Sequence, residues 1–279
     1  MDERERIEGE YRVREGIVRS FFQAEAPRLA DLCHVMARRF ARGGRLIAFG
    51  AGAAATDAQH VSVEFVHPVI VGKRALPALA LVNDSPSVLE LALRDPSSFF
   101  VRHLEIVGRP EDMALGMVHH AGDTGLAPVA AALKHAGSTD ALTIGLGAPG
   151  ASLAAEAEHA FTVPSEDPFI VQEVHETLYH VLWELVHVFF DHKGLLEDRV
   201  RGASHDTGRS GFLYPFLAEA EANLDEVLVE ITGSIRTKAE DVIAMRAASR
   251  DPSGLTETAR LIAQRVAAGG KILAFGNGG

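Results

Sequence analysis

Five short apolar runs, at residues 45–49, 77–82, 113–118, 141–146 and 160–163, are separated mostly by stretches with helical spacing. That alternation constrains the fold more than any other feature. Runs of four to six residues with little polar alternation suit strands buried on both faces. Strands that alternate with helices pair in parallel, with helices covering the sheet. The spacing predicts helices over 7–23, 27–42, 56–65, 87–108, 126–136, 152–157 and 168–192, and strands at the apolar runs. The expected class is α/β, with a parallel sheet covered on both faces.

The first strand runs into the loop GAGAAATD, from Gly50 to Asp57. A loop between a buried strand and a helix N-terminus presents free N–H groups and the positive end of the helix dipole, which suits an anion. Three readings stand side by side. Gly50, Ala51, Gly52, Ala53, Ala54 and Ala55 fit G-x-G-x-x-A, a dinucleotide fingerprint. That fingerprint wants an acidic residue about 20 positions on; Lys73 and Arg74 lie there instead, which suits only NADP. The loop also suits a sugar phosphate, or forms a tight turn with no ligand.

His60 and Glu64 are one helical turn apart on the segment that leaves this loop, so both can reach one point. In the long helix, Gln172, Glu176 and His180 follow at four-residue steps, each step turning by only about 40°. Imidazole nitrogens and carboxylate oxygens are natural zinc ligands. Two such faces could enclose one divalent cation, and the alternative for each is an exposed helix face or a hydrogen-bonded histidine. His175 and His187 have no such partners in sequence and read as surface or packing residues.

Composition narrows the function classes. The formal net charge of −11 lacks the basic footprint of nucleic-acid binding, and it leaves any phosphate to be held by local groups. No apolar run approaches the roughly 20 residues that span a bilayer. Cys33 is the only cysteine, which fits a reducing compartment. The opening residues are too charged for a signal peptide. A cytoplasmic protein is expected.

A shift of 226 positions lays LADLCHVMARRFARGGRLIAFGAG, from Leu29, over LTETARLIAQRVAAGGKILAFGNG, from Leu255. Helix, Gly-Gly, strand and loop opening match together, which reads as a tandem duplication. The expected organisation is a first unit over 1–193, a polar linker over 194–211, and a second, incomplete copy over 212–279. That copy has helices at 216–249 and 255–268 and one strand at 271–275. One strand cannot build a parallel sheet, so this copy cannot fold as the first does; either the chain continues or the segment packs as an appendage.

The stretch GGRLIAFGAGAAATDAQHVSVE (43–64), SFFVRHLEIVGRPEDMALG (98–116) and IVQEVHETLYH (170–180), in that order, resemble the sugar isomerase (SIS) domain of phosphoheptose isomerases. The likeness spans roughly residues 26–192. It implies a three-layer α/β/α sandwich with a five-stranded parallel sheet, and homotetramers, or dimers of tandem chains, with active sites between subunits. It implies zinc held by His60, Glu64, Gln172 and His180, and interconversion of a ketose and an aldose phosphate through an enediol. Glu64 and His180 are its proton-transfer residues, with Glu176 a substitute base. Substrate is expected to lie against Gly50, Ala51, Gly52, Ala53, Ala54, Asp57, Asp84, Ser85, His119, His120, Asp123, Thr124 and Gln172.

The chain departs from the family in its phosphate loops. Ala54 stands where the family has a serine, Pro68 replaces an arginine, and VHHAGDTG replaces a Ser/Thr-rich segment, leaving Thr124 as the retained hydroxyl. A hydrogen bond to a charged group contributes about 1.5–3 kcal/mol, so phosphate affinity is expected to fall. An isomerase of altered or reduced activity, a catalytically degenerate sugar-binding or scaffolding module, and an NADP-binding domain are the functional readings.

Overall fold

The computed structural model describes residues 3–68, 73–196 and 223–276. Strands β1 (Leu46–Gly50), β2 (Ala78–Ala80), β3 (Met113–Met117), β4 (Leu142–Gly147) and β5 (His159–Thr162) form one parallel sheet in the order β2-β1-β3-β4-β5. All pairings are parallel, with β1 central between β2 and β3. This order is the flavodoxin-like one and not the six-strand arrangement of dinucleotide-binding sheets. The expected α/β sandwich and its five strands are therefore present, each strand within two residues of its apolar run at either end.

Strand alternation sorts the side chains into two cores. Leu46, Ala48, Met113, Leu115, Ile144 and Leu146 face a layer made by helices α1 (Glu3–Ala41), α2 (Ala53–Val66) and α6 (Pro168–Asp191). Ile47, Phe49 and Ala114 face the opposite layer, where α4 (Phe99–Val107) and α5 (Leu126–Ser138) pack. Arg45 and Asp112 pin the lower ends of β1 and β3 together. The buried Asp112 carboxylate accepts Arg45 Nε at 3.0 Å, Arg45 N at 2.9 Å and Arg109 N at 3.0 Å.

Three expectations about helices change. The two helices expected over 7–42 are one, α1, with Pro27 inside it. A proline in a helix interior costs about 3 kcal/mol or more, but Phe21, Phe22, Ala26, Leu29 and Ala30 are all buried around it, and that packing outweighs the lost bond. The helix expected over 87–108 is two, α3 (Ser85–Arg94) and α4. Pro96 supplies no N–H and biases Asp95 out of the helical region, while Asp95 accepts from the hydroxyls of Ser97 at 2.5 Å and Ser98 at 2.7 Å. Those two hydroxyls hold the Asp95 carboxyl below the usual carboxylate range. Residues 152–157 make only a turn, too short a stretch to repay helix nucleation.

Beyond the sheet, a 3-10 turn spans Lys193–Leu195, and most of the expected linker lies outside the described residues. Helix α7 (Leu224–Ala248) buries Val227, Ile231, Ile235, Ala239 and Ile243, packing chiefly on α1. Ion pairs fasten it, Arg19 with Glu240 and Arg246 with Glu173, and Arg250 just beyond its end pairs with Glu8 and Glu15. Helix α8 (Pro252–Ala267) buries only Pro252. The expected strand at 271–275 is absent: those residues have no regular structure and no sheet neighbour. No helix among the described residues is long and apolar enough to cross a membrane.

Candidate metal centre and substrate cleft

In a sheet of this order, connections from β1 and β3 leave in opposite directions, and ligands bind in the crevice beyond the carboxyl ends of the strands at that point. The two loops do meet there. A Cβ placed on Gly125 would lie 2.6 Å from the Ala51 methyl. Gly50 ends β1 with no room for a side chain, since a Cβ would sit 2.6 Å from that of Ala54. Gly52 then turns the chain at φ 59° and begins α2 with no side-chain cap.

Helix α2 carries His60 and Glu64, and α6 lies against it with His180. One ligand atom from each of these three residues lies within 4.8 Å of the other two. Glu64 is buried and the two imidazoles are half-buried, with ring centroids 5.0 Å apart. His180 Nε2 is 3.8 Å from Glu64 Oε2. Two imidazoles and a carboxylate are a zinc-type donor set that leaves a position open for a further ligand.

The surroundings fix how these rings face the centre. His180 Nδ1 lies 2.7 Å from the carbonyl oxygen of Glu176, which only accepts, so Nδ1 carries the proton and Nε2 offers its lone pair. His60 Nδ1 lies 2.8 Å from the Tyr179 hydroxyl, which can accept Nδ1–H and free Nε2 likewise. Burial, with the charges of Asp57, Glu176 and Glu64 adding to it, pushes the Tyr179 phenol up, so it stays protonated. The donor set fits a divalent cation when His60 gives its Nδ1–H to Tyr179.

The remaining expected site residues are placed as follows. Gln172, half-buried on α6, donates Nε2–H to Asp57 Oδ1 at 3.0 Å. Asp57 Oδ2 lies 2.8 Å from His119 Nε2, both side chains being buried; the approach is close but off the hydrogen-bonding direction. Glu176 is exposed, its Oε1 3.9 Å from His60 Nδ1. Ala54 is buried in the core, and its N–H already reaches Ala51 O, while Ala53 is exposed. His120 is exposed and accepts Gly122 N–H; Asp123 accepts Gly125 N–H at 2.8 Å; Thr124 is exposed. Asp84 is exposed just before α3, which Ser85 begins.

The sequence did not reveal Tyr179 or the Glu176 carbonyl as orienting groups, nor the burial of His175. Tyr179 adjoins His180 in the same motif, but its reach to His60 depends on how α6 crosses α2. His175 is fully buried, so it packs and is not a surface residue. Burial first, and the neighbouring His119 second, push its imidazole down to about 3. His187 is also a packing residue, spanning the carbonyls of Trp183 at 2.7 Å and Arg74 at 3.0 Å.

Residues 11–148 match the SIS domain. The phosphoheptose isomerase of Roseiflexus sp. (strain RS-1) is 34% identical over 174 residues, covering 61% of this chain and 86% of that protein. That of Desulfovibrio desulfuricans is 36% identical over 169 residues, covering 60% and 79%. Among solved structures, the phosphoheptose isomerase of Francisella tularensis shares the fold with a TM-score of 0.59 at 21% identity, covering 67% of this chain and all of that one. The Neisseria gonorrhoeae enzyme does so at 0.55 and 24%, covering 65% and 97%. Parallel sheet, crevice and sequence likeness agree: the chain belongs to the SIS domain family, among the relatives of the phosphoheptose isomerases.

Proposed function

We propose that this chain is a sugar-phosphate isomerase of the aldose–ketose type, metal-assisted, with sedoheptulose 7-phosphate as the substrate its relatives' name suggests. The observation that carries the reading is the convergence of His60, Glu64 and His180 at the sheet's crevice. His60, Glu64, His180 and Gln172 are the residues that would hold zinc. A bound divalent ion would polarise the sugar carbonyl and stabilise the developing oxyanion.

Glu64 and His180 supply the proton transfer, each alternating between that role and the cation. Moving a carbonyl between adjacent carbons requires a proton to leave one carbon and arrive at the next, with an enediol between. A carboxylate and an imidazole within reach of one substrate can take and return it. Glu176, exposed beside His60, is the carboxylate that serves when Glu64 is engaged by the cation. The loops at 50–54 and 119–124 take the far end of the sugar. Few side-chain donors face it there: Ala54 is buried, and Asp123 places a carboxylate beside the loop. We infer weak phosphate affinity and hence a high KM.

The decisive measurement is isomerisation of sedoheptulose 7-phosphate by zinc-loaded protein, beside elemental analysis. Turnover that His180→Ala abolishes, with zinc lost from a His60→Ala, His180→Ala double variant, supports the reading. Negligible zinc in both the unmodified protein and the double variant, with no turnover, overturns it and favours a degenerate sugar-binding or scaffolding module.

A further inference from the structure

Beneath the cleft lies a buried polar layer that joins three elements: Asp57 on α2, Gln172 on α6 and His119 at the exit of β3. Asp57 is 5% exposed and His119 is 3% exposed. An ionised carboxylate only accepts hydrogen bonds, whereas an amide has one donating and one accepting end. With Gln172 Nε2 at 3.0 Å from Asp57 Oδ1, the NH2 end is claimed by the carboxylate, and Oε1 is the end left for a cation. The reversed amide would set two acceptors against each other. On its other side the buried Asp57 carboxylate meets the His119 ring, whose Nε2 lies 2.8 Å from Oδ2.

We propose that Asp57, braced by His119, is a positioning residue that fixes the Gln172 amide with its carbonyl oxygen available to the cation site. The inference rests on the metal reading above. It gives the segment after β3 a second task in this chain. Where the resemblance expects hydroxyls for phosphate, His119 turns inward and braces the ligand helix.

The test is zinc affinity of the full chain by chelator competition, for the unmodified protein, Asp57→Leu, Asp57→Asn, Gln172→Ala and the Asp57→Leu, Gln172→Ala pair. Groups that orient a metal ligand typically contribute 10–100-fold in affinity. Asp57→Leu and Gln172→Ala are each expected to weaken zinc binding by about 10–100-fold, and the pair to be no weaker than Gln172→Ala alone. Asp57→Asn, whose Oδ1 still accepts from Gln172, is expected to stay close to the unmodified protein. Unchanged affinity in Asp57→Leu overturns the proposal, as does an undiminished loss when it is added to Gln172→Ala. If Asp57→Leu does not fold, His119→Leu in the same two backgrounds gives the same cycle: a loss that Gln172→Ala absorbs supports the proposal, and unchanged or fully additive affinity overturns it. An unmodified chain that binds no zinc overturns the metal reading and the proposal with it, whereas zinc bound equally well by the unmodified chain and Asp57→Leu overturns the positioning role alone.

Discussion

Residues 29–50 and 255–276 agree at 9 of 22 positions in register, and the chain folds them differently. Leu29 is wholly buried, while its counterpart Leu255 is 45% exposed. Leu46 and Phe49 lie in the sheet at 1% and 0% exposure, and their counterparts Ile272 and Phe275 stand at 68% and 97%. The helical part forms both times. In α8 it forms on local terms, with Asp251 accepting from Gly254 N at 3.0 Å and Pro252 at the first position. The strand forms only once. A helix satisfies its backbone within itself, but a strand needs neighbours for its N–H and C=O groups. β1 has β2 on one side and β3 on the other; residues 271–276 have neither. A similar apolar run is thus a strand or irregular chain according to what surrounds it.

Paired substitutions can break that comparison. Leu46→Ala is expected to destabilise the protein by about 2–5 kcal/mol, the usual range for a large core residue cut to alanine. Ile272→Ala should stay within about 0.5 kcal/mol, as surface changes do. Denaturant midpoints measure both, and equal effects would show that the second segment is covered in solution. Next in size, Asp112→Ala removes the acceptor of Arg45 and two backbone N–H groups, at a cost of about 1.5–3 kcal/mol. Lys271, the counterpart of Arg45, is exposed, and Lys271→Ala should leave the midpoint in place. Gly50→Ala drives a methyl to 2.6 Å from Ala54 and should cost about 1–3 kcal/mol, whereas Gly276 has nothing within 4 Å and should accept alanine freely.

The contrast also explains what could be read in advance. The five strands and the site-bearing helices were legible, because apolar runs and i, i+4 spacings are local patterns that the sheet then confirms. The facing of His60, Glu64 and His180 was legible for the same reason. What escaped depends on distant packing. Pro27 does not break α1 because the core closes around it, and 271–275 carries a strand pattern without a strand's neighbours. Pro96 was visible as a breaker, and the division between α3 and α4 could have been read from Asp95-Pro96-Ser97. The Asp57–His119–Gln172 layer joins three elements far apart in the chain, and no spacing rule connects them.

The smallest effect isolates the covering itself, apart from shape. Its site is His175, wholly buried on α6, whose imidazole is pushed down to about 3 by burial and by His119. An unfolded histidine titrates near 6.5. Its folded value is depressed, so the unfolded state binds the proton first. The neutral ring's contribution is intact above about pH 6.5 and is lost as pH falls from there toward 3. One extra proton on the unfolded chain gives a slope of about 1.4 kcal/mol per pH unit at most. Between pH 6.5 and 5, above most carboxylate titrations, His175→Phe should flatten the fall in stability by about 1 kcal/mol per unit, read from midpoints at each pH. An unchanged slope would mean that water reaches His175 in solution, and that the sheet is less completely covered than its strands imply.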